Sequence, residues 1–196
     1  MTKKTRRSKA RRALLALSLV LVTMLVTVGG TVAWLTANTA PVVNTFTPSN
    51  INIELTETTG NQYKMVPGAT IAKNPKVTVK SGSEASYVFV KIEKSTDKAF
   101  DDYMTFTIAA GWTALPNVAG VYYREVAATT ADTDFPVLMD NQVQVKDTVT
   151  KTMMDALNVS NYPKLTFTAY AVQQAKGNTT FTPAEAWAKV PTTAAP

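Results

Sequence analysis

Residues Ser86–Lys94 read SYVFVKIEK, and the rhythm of this stretch decides the fold class. Val88, Val90 and Ile92 fall on one face at a period of two, with Tyr87, Phe89, Lys91 and Glu93 on the other. A helix would scatter three such residues around its axis, whereas a pleated strand lines them up. Working outward, the same alternation recurs in NINIEL (Asn50–Leu55), PKVTVK (Pro75–Lys80), QVQVKDTV (Gln142–Val149) and LTFTAYAVQQ (Leu165–Gln174). YMTFTIA (Tyr103–Ala109) and GVYYREV (Gly120–Val126) complete the set of expected strands. Thr, Val, Ile and aromatic residues dominate these runs, as a half-buried pleated surface prefers. Pro67-Gly68, Ser81-Gly82, Ala119-Gly120 and Lys176-Gly177-Asn178 punctuate them as turns. Many short strands between turns predict an all-β, antiparallel β-sandwich or barrel.

Two short helices are expected near the C-terminus. Thr150–Leu157 groups Met153, Met154 and Leu157 at helical spacing. Thr182-Pro183-Ala184-Glu185 has the form of a capping box with Pro at the first helical position, launching Ala184–Lys189 with Trp187 turned inward. Residues 191–196 read as a loose tail.

The chain has 196 residues, 20 Lys+Arg, 14 Asp+Glu, no His and no Cys, and a formal charge of +6. Such a charge suggests nucleic acid or a membrane surface as partner until the bases are placed. Seven of the 20 lie within the first twelve residues, and no acid precedes Glu54, so the remainder carries 13 bases against 14 acids. A nearly neutral body without a basic cluster argues against nucleic-acid binding.

The basic start, Met1–Arg12, leads into the apolar run Ala13–Val28 and then Gly29-Gly30. A basic region followed by an apolar one is the pattern of a secretory signal, although this run approaches the length of a membrane anchor. Thr31-Val32-Ala33 places small residues at −3 and −1, and no Lys or Arg follows until Lys64. The missing basic flank favours cleavage between Ala33 and Trp34 over retention as an anchor. Residues 1–33 are therefore expected to be a signal peptide whose only partners are the membrane and a signal peptidase during export. Residues 34–49 form an N-terminal arm, and residues 50–190 form the β-domain. In an exported chain, the absence of Cys means a fold that does not rely on disulfides.

Composition also bounds the chemistry. Without His or Cys there can be no Ser-His-Asp triad, no Cys-His pair, no zinc-protease helix and no thiolate metal site. No glycine-rich phosphate loop occurs among the 8 Gly. No catalytic residue, cofactor site or metal site is assigned. Two aspartate groups, Asp97/Asp101/Asp102 and Asp132/Asp134/Asp140, could supply oxygen ligands for calcium but read more simply as solvated loops. Trp112, Tyr122, Tyr123, Tyr170 and Trp187 could form a ligand platform, but their placement on strands fits packing better. Asn158-Val159-Ser160 and Asn178-Thr179-Thr180 read as turns.

The run GGTVAWLTANTAPVVNTFTPSNINIELTE, Gly29–Glu57, resembles the start of exported proteins processed by a SipW-type signal peptidase. These form the camelysin/TasA family of Gram-positive biofilm-matrix and cell-surface proteins. Lys64–Glu93, with its Pro-Gly turn leading to paired strands, is similar to a segment of the same family, as are GWTALPNVAGVYYREV, FPVLMDNQVQV and LTFTAYAVQQ. The resemblance implies a secreted jelly-roll β-sandwich in the extracellular matrix or at the cell surface. It implies self-assembly into fibres through an N-terminal strand donated to the next subunit, with other matrix proteins as further partners. Camelysin-type relatives also imply a metal-dependent peptidase, a reading at odds with a chain that has no His. On this resemblance Trp34–Pro48 is the candidate donor strand, with Leu35, Val42, Val43 and Phe46 as its apolar residues. Pairing as an ordinary first strand within its own subunit is the alternative for the segment. A monomeric adhesin or binding module is the alternative for the protein.

Overall fold

A computed structural model of the chain describes residues 11–16, 18, 50–96 and 100–191. The chain divides into two compact units, Met1–Phe46 and Thr47–Pro196. In the first, residues 11–16 and 18 are helical and exposed, including Leu14 and Leu15. No helix among the described residues is long and apolar enough to cross a membrane.

The second unit is mostly β. Its strands are β1 (Ile53–Thr56), β2 (Thr70–Ala72), β3 (Lys76–Val79), β4 (Ser86–Lys94), β5 (Met104–Thr105), β6 (Thr113–Ala114), β7 (Val121–Val126), β8 (Thr133–Pro136), β9 (Gln142–Val145), β10 (Leu165–Gln173), β11 (Ala175–Lys176) and β12 (Thr179–Thr180). Helices are single turns: α1 (Phe100–Tyr103), α2 (Lys151–Asp155), α3 (Pro183–Trp187) and a 3₁₀ turn at Met139–Asn141. The strands form antiparallel sheets in the orders β1-β3-β8, β2-β9-β5, β10-β4-β7-β6 and the hairpin β11-β12. No closed barrel forms among the described residues.

The strand expected from SYVFVKIEK is β4, and it is the centre of the structure. It pairs with β10 from Ser86↔Gln173 to Lys94↔Leu165 and with β7 from Ser86↔Val126 to Lys91↔Val121. Val88, Val90 and Ile92 enter a core shared with Val77 and Val79 of β3 and Val143 and Val145 of β9. Each such side chain contributes about 1.5–3 kcal/mol by leaving water. The other face is buried as well. Tyr87 and Phe89 pack with Leu115, Val121 and Ala186 in a second cluster covered by α3. Burial on both faces explains why apolar residues occupy both registers of β4, where a one-sided strand would alternate with polar ones.

The capping box holds α3 in place: Thr182 Oγ1 accepts from the Glu185 amide at 3.3 Å, and Glu185 Oε2 accepts from the Thr182 amide at 2.8 Å. Trp187 turns inward as expected, 5.2 Å from the Phe89 ring and 5.6 Å from that of Tyr170. α2 is likewise present, capped by Thr150, with Met153, Met154 and Leu157 against the first core.

The expected strand Tyr103–Ala109 is largely absent. Only Met104–Thr105 pairs with β9, Ile108 makes an isolated bridge to Leu138, and Tyr103 ends α1. Its alternation was real, but Phe100, Tyr103 and Met104 are all buried, and one helical turn places them on the core together. Conversely, Thr133–Pro136 lies in what reads as a solvated aspartate loop, yet it forms β8, pairing with β3 from Val79↔Thr133 to Lys76↔Pro136.

Candidate assembly edge

The residues singled out from the sequence for cleavage and strand donation, Ala33, Trp34, Leu35, Val42, Val43 and Phe46, lie outside the described residues. The described domain shows instead which of its edges could receive a strand. An edge exposes a row of backbone N–H and C=O groups, and globular proteins blunt such rows with charge, proline or brevity.

Most edges here are blunted. β2, β5 and β6 are two or three residues long. β8 ends in Pro136 and carries Asp134, whose carboxylate accepts from Lys76 Nζ at 2.7 Å and from the Thr78 hydroxyl at 2.6 Å. β1 carries Glu54, 2.6 Å from Lys80 Nζ. Lys80 also reaches Asp132 at 3.3 Å, and the Asp132 carboxylate accepts from the Ser81 amide at 2.9 Å. These contacts hold both aspartates below the usual carboxylate range, Asp132 through the Ser81 amide and then Lys80, and Asp134 through Lys76 and then Thr78.

β10 differs. Its nine residues, LTFTAYAVQ, contain no charge and no proline, and among the described residues it pairs only with β4. Leu165, Phe167, Ala169 and Ala171 pack on the first core; Tyr170 and Val172 pack on the second. Its neighbour across the margin of the first core is β1, which pairs only with β3 among the described residues. Ile53 and Leu55 of β1 border the same core as Leu165 and Phe167. β1 and β10 thus lie side by side at the margin of the first core, each paired on one side only among the described residues.

Of the two aspartate groups, Asp101, Asp132 and Asp134 pair with Lys94, Lys80 and Lys76, Asp97 lies outside the described residues, and no group of three or more metal-ligating side chains gathers among the described residues. Trp112 is buried and donates from Nε1 to the Pro136 carbonyl at 2.8 Å. Tyr123, Tyr170 and Trp187 belong to the second cluster, while Tyr122 packs on the first. The ring set is thus divided between two cores and forms no single platform. Two buried or half-buried cations have no counterpart among the residues that the sequence marks out. Lys73 is 8 % exposed and pairs with Glu57 at 2.7 Å, and Arg124 stacks 4.1 Å from the Phe135 centroid, its pKa lowered by burial. Neither has a local signature, since Glu57 and Phe135 reach them only through the fold. No known protein family, curated protein or solved structure gives a significant match to this chain.

Proposed function

We propose that this is a secreted structural protein of the extracellular matrix or cell surface of a Gram-positive bacterium. It is a jelly-roll-like β-sandwich that assembles into fibres when the N-terminal arm of one copy adds to the sheet of the next. The observation that carries this reading is β10, which among the described residues is a long, uncharged, proline-free edge while the other edges are blunted. The sequence supplies a matching donor, Trp34–Pro48, with no charge and with Val42, Val43 and Phe46 as apolar residues. The resemblance of Gly29–Glu57 to the camelysin/TasA family supports both export and assembly. Catalysis has no place in this reading, because a chain without His or Cys lacks the usual nucleophile–base and zinc ligand sets.

The energetics are adequate. Each main-chain hydrogen bond of an added strand is worth about 0.5–1.5 kcal/mol net. Each apolar side chain buried adds about 1.5–3 kcal/mol. A handful of both outweighs the cost of ordering a short arm. The test compares the mature chain starting at Trp34, the same chain lacking Trp34–Pro48, and Val43→Asp, by light scattering, electron microscopy and thermal melts. The intact arm is expected to give concentration-dependent fibres. The deletion is expected to give a folded, non-assembling domain. Val43→Asp is expected to lose assembly far more than melting temperature, because it would bring an unpaired charge into an apolar groove. Unfolding of the deletion would make the arm an internal strand, and equal polymerisation of all three would place assembly on another surface.

A further inference from the structure

A cavity of about 570 Å³ opens between the β4–β7 pair and β5, with Ile92, Lys94, Asp101, Phe106, Thr107 and Tyr122 in its walls. Small-molecule sites commonly occupy roughly 300–1,000 Å³. The lining contains one cation and one carboxylate, and they neutralise each other: Lys94 Nζ lies 2.7 Å from Asp101 Oδ1. The ammonium is further held over the rings of Phe106 and Phe100, 5.2 Å and 5.8 Å from their centroids. Phe106 is fixed in turn by an edge contact with Phe100 at 5.9 Å.

The chemistry left for a ligand is therefore neutral, hydroxylic and aromatic. Asp101 keeps a second oxygen as acceptor, and Thr105, Thr107 and Tyr122 add hydroxyl groups to the lining. Tyr122 and Phe106 add ring surface. An anion gains little where the ammonium already has a carboxylate, and a second cation meets Lys94. A wholly apolar ligand would strip water from Asp101 and the hydroxyls without replacing it. One common class of small molecule offers both hydroxyl groups and a patch of C–H that can lie against an aromatic ring. We propose that this cavity binds a neutral saccharide unit, with Asp101 and the threonines contacting sugar hydroxyls and the Tyr122 ring contacting a sugar face. The proposal does not rest on fibre assembly and would stand if the β10 edge proved inert.

The test is a titration of the purified chain, labelled with ¹⁵N, with neutral sugars: glucose, galactose, mannose, N-acetylglucosamine, maltose and cellobiose, each to about 20 mM, far enough to detect millimolar affinity. At least one is expected to give saturable shifts confined to residues 101–108 and 119–122. Asp101→Asn and Thr107→Ala are both at exposed positions, so the fold should persist, with at most a small fall in melting temperature where Asp101→Asn removes the exposed ion pair to Lys94. Each should weaken binding about tenfold, as the loss of one well-placed hydrogen bond does. Tyr162→Ala, at an exposed ring that does not line the cavity, should bind as the parent does. The proposal is overturned if no neutral sugar gives saturable shifts, if the shifts fall elsewhere, or if both cavity variants bind unchanged. Tighter binding of glucuronate or phosphate than of any neutral sugar would also overturn it, since the site would then be ionic.

Discussion

Gly120 has φ of 73°, and a Cβ placed there would stand 2.5 Å from the Ile92 carbonyl oxygen. The Ile92 amide also donates to the Gly120 carbonyl at 2.7 Å, so the turn before β7 is pressed against β4 backbone that cannot yield. Gly120→Ala combines a left-handed backbone with that collision and is expected to cost about 2 kcal/mol or more, read from denaturant midpoints. Ser86 is the opposite case. It is wholly buried at the start of β4, and its hydroxyl has no hydrogen-bond partner among the described residues. Ser86→Ala removes an unsatisfied polar atom and should leave stability unchanged or raise it by about 1 kcal/mol in the same measurement. A clear destabilisation would mean that the hydroxyl does have a partner. The first residue was legible as a turn signal in Ala119-Gly120. The second was not, because nothing local distinguishes a serine that the fold buries from one that water reaches.

Among the elements, α3 shows how a five-residue helix can matter. Alone it is too short to persist. It forms because Thr182 and Glu185 cap it and because Ala186, fully buried, lets it approach Tyr87 and Phe89 closely. Ala186→Asp would bury an unpaired carboxylate there and is expected to cost about 3 kcal/mol and detach the helix. Trp187 fluorescence should then shift to the red, whereas loss of the cap alone, Thr182→Ala, should cost only about 1 kcal/mol. This helix and α2 were legible because capping and spacing are local. The long strands β4, β7 and β10 were legible from alternation. The short strands β2 and β6 were not, since two or three residues hold too little pattern, and β8 was not, because an Asp and a Pro among its four residues hide the alternation that NINIEL and PKVTVK display. The β10 edge fell between these cases: its strand could be read, but its position at the margin of a sheet could not, because that depends on which strands pair elsewhere.

For the whole molecule, the pH response follows from which groups titrate. Asp132, Asp134 and Glu185 all have lowered pKa values, Glu185 through the Thr182 amide and hydroxyl. Their folded-state values lie below their unfolded ones, so their contribution is complete above the unfolded carboxylate range of about 4 and is lost as pH falls through the folded values. Lys80, raised by Glu54 and Asp132, and Tyr87, raised by burial, stabilise up to their unfolded values near 10 and lose that contribution as pH rises further. With no His or Cys between these limits, the melting temperature should be nearly flat from about pH 5 to 9 and fall on both sides. Asp134→Asn should flatten the acid side, and a steep slope near neutrality would contradict the assignment. The placement of β4 has a consequence in time as well as in space. Its partner β10 begins at Leu165, about 70 residues after Lys94, and chains are made at about 5–20 residues per second. For several seconds of synthesis, the most deeply buried strand of the domain waits with one backbone edge unsatisfied. A chain stopped before Leu165 would remain in that condition permanently, so shortened products are expected to be insoluble rather than merely less stable.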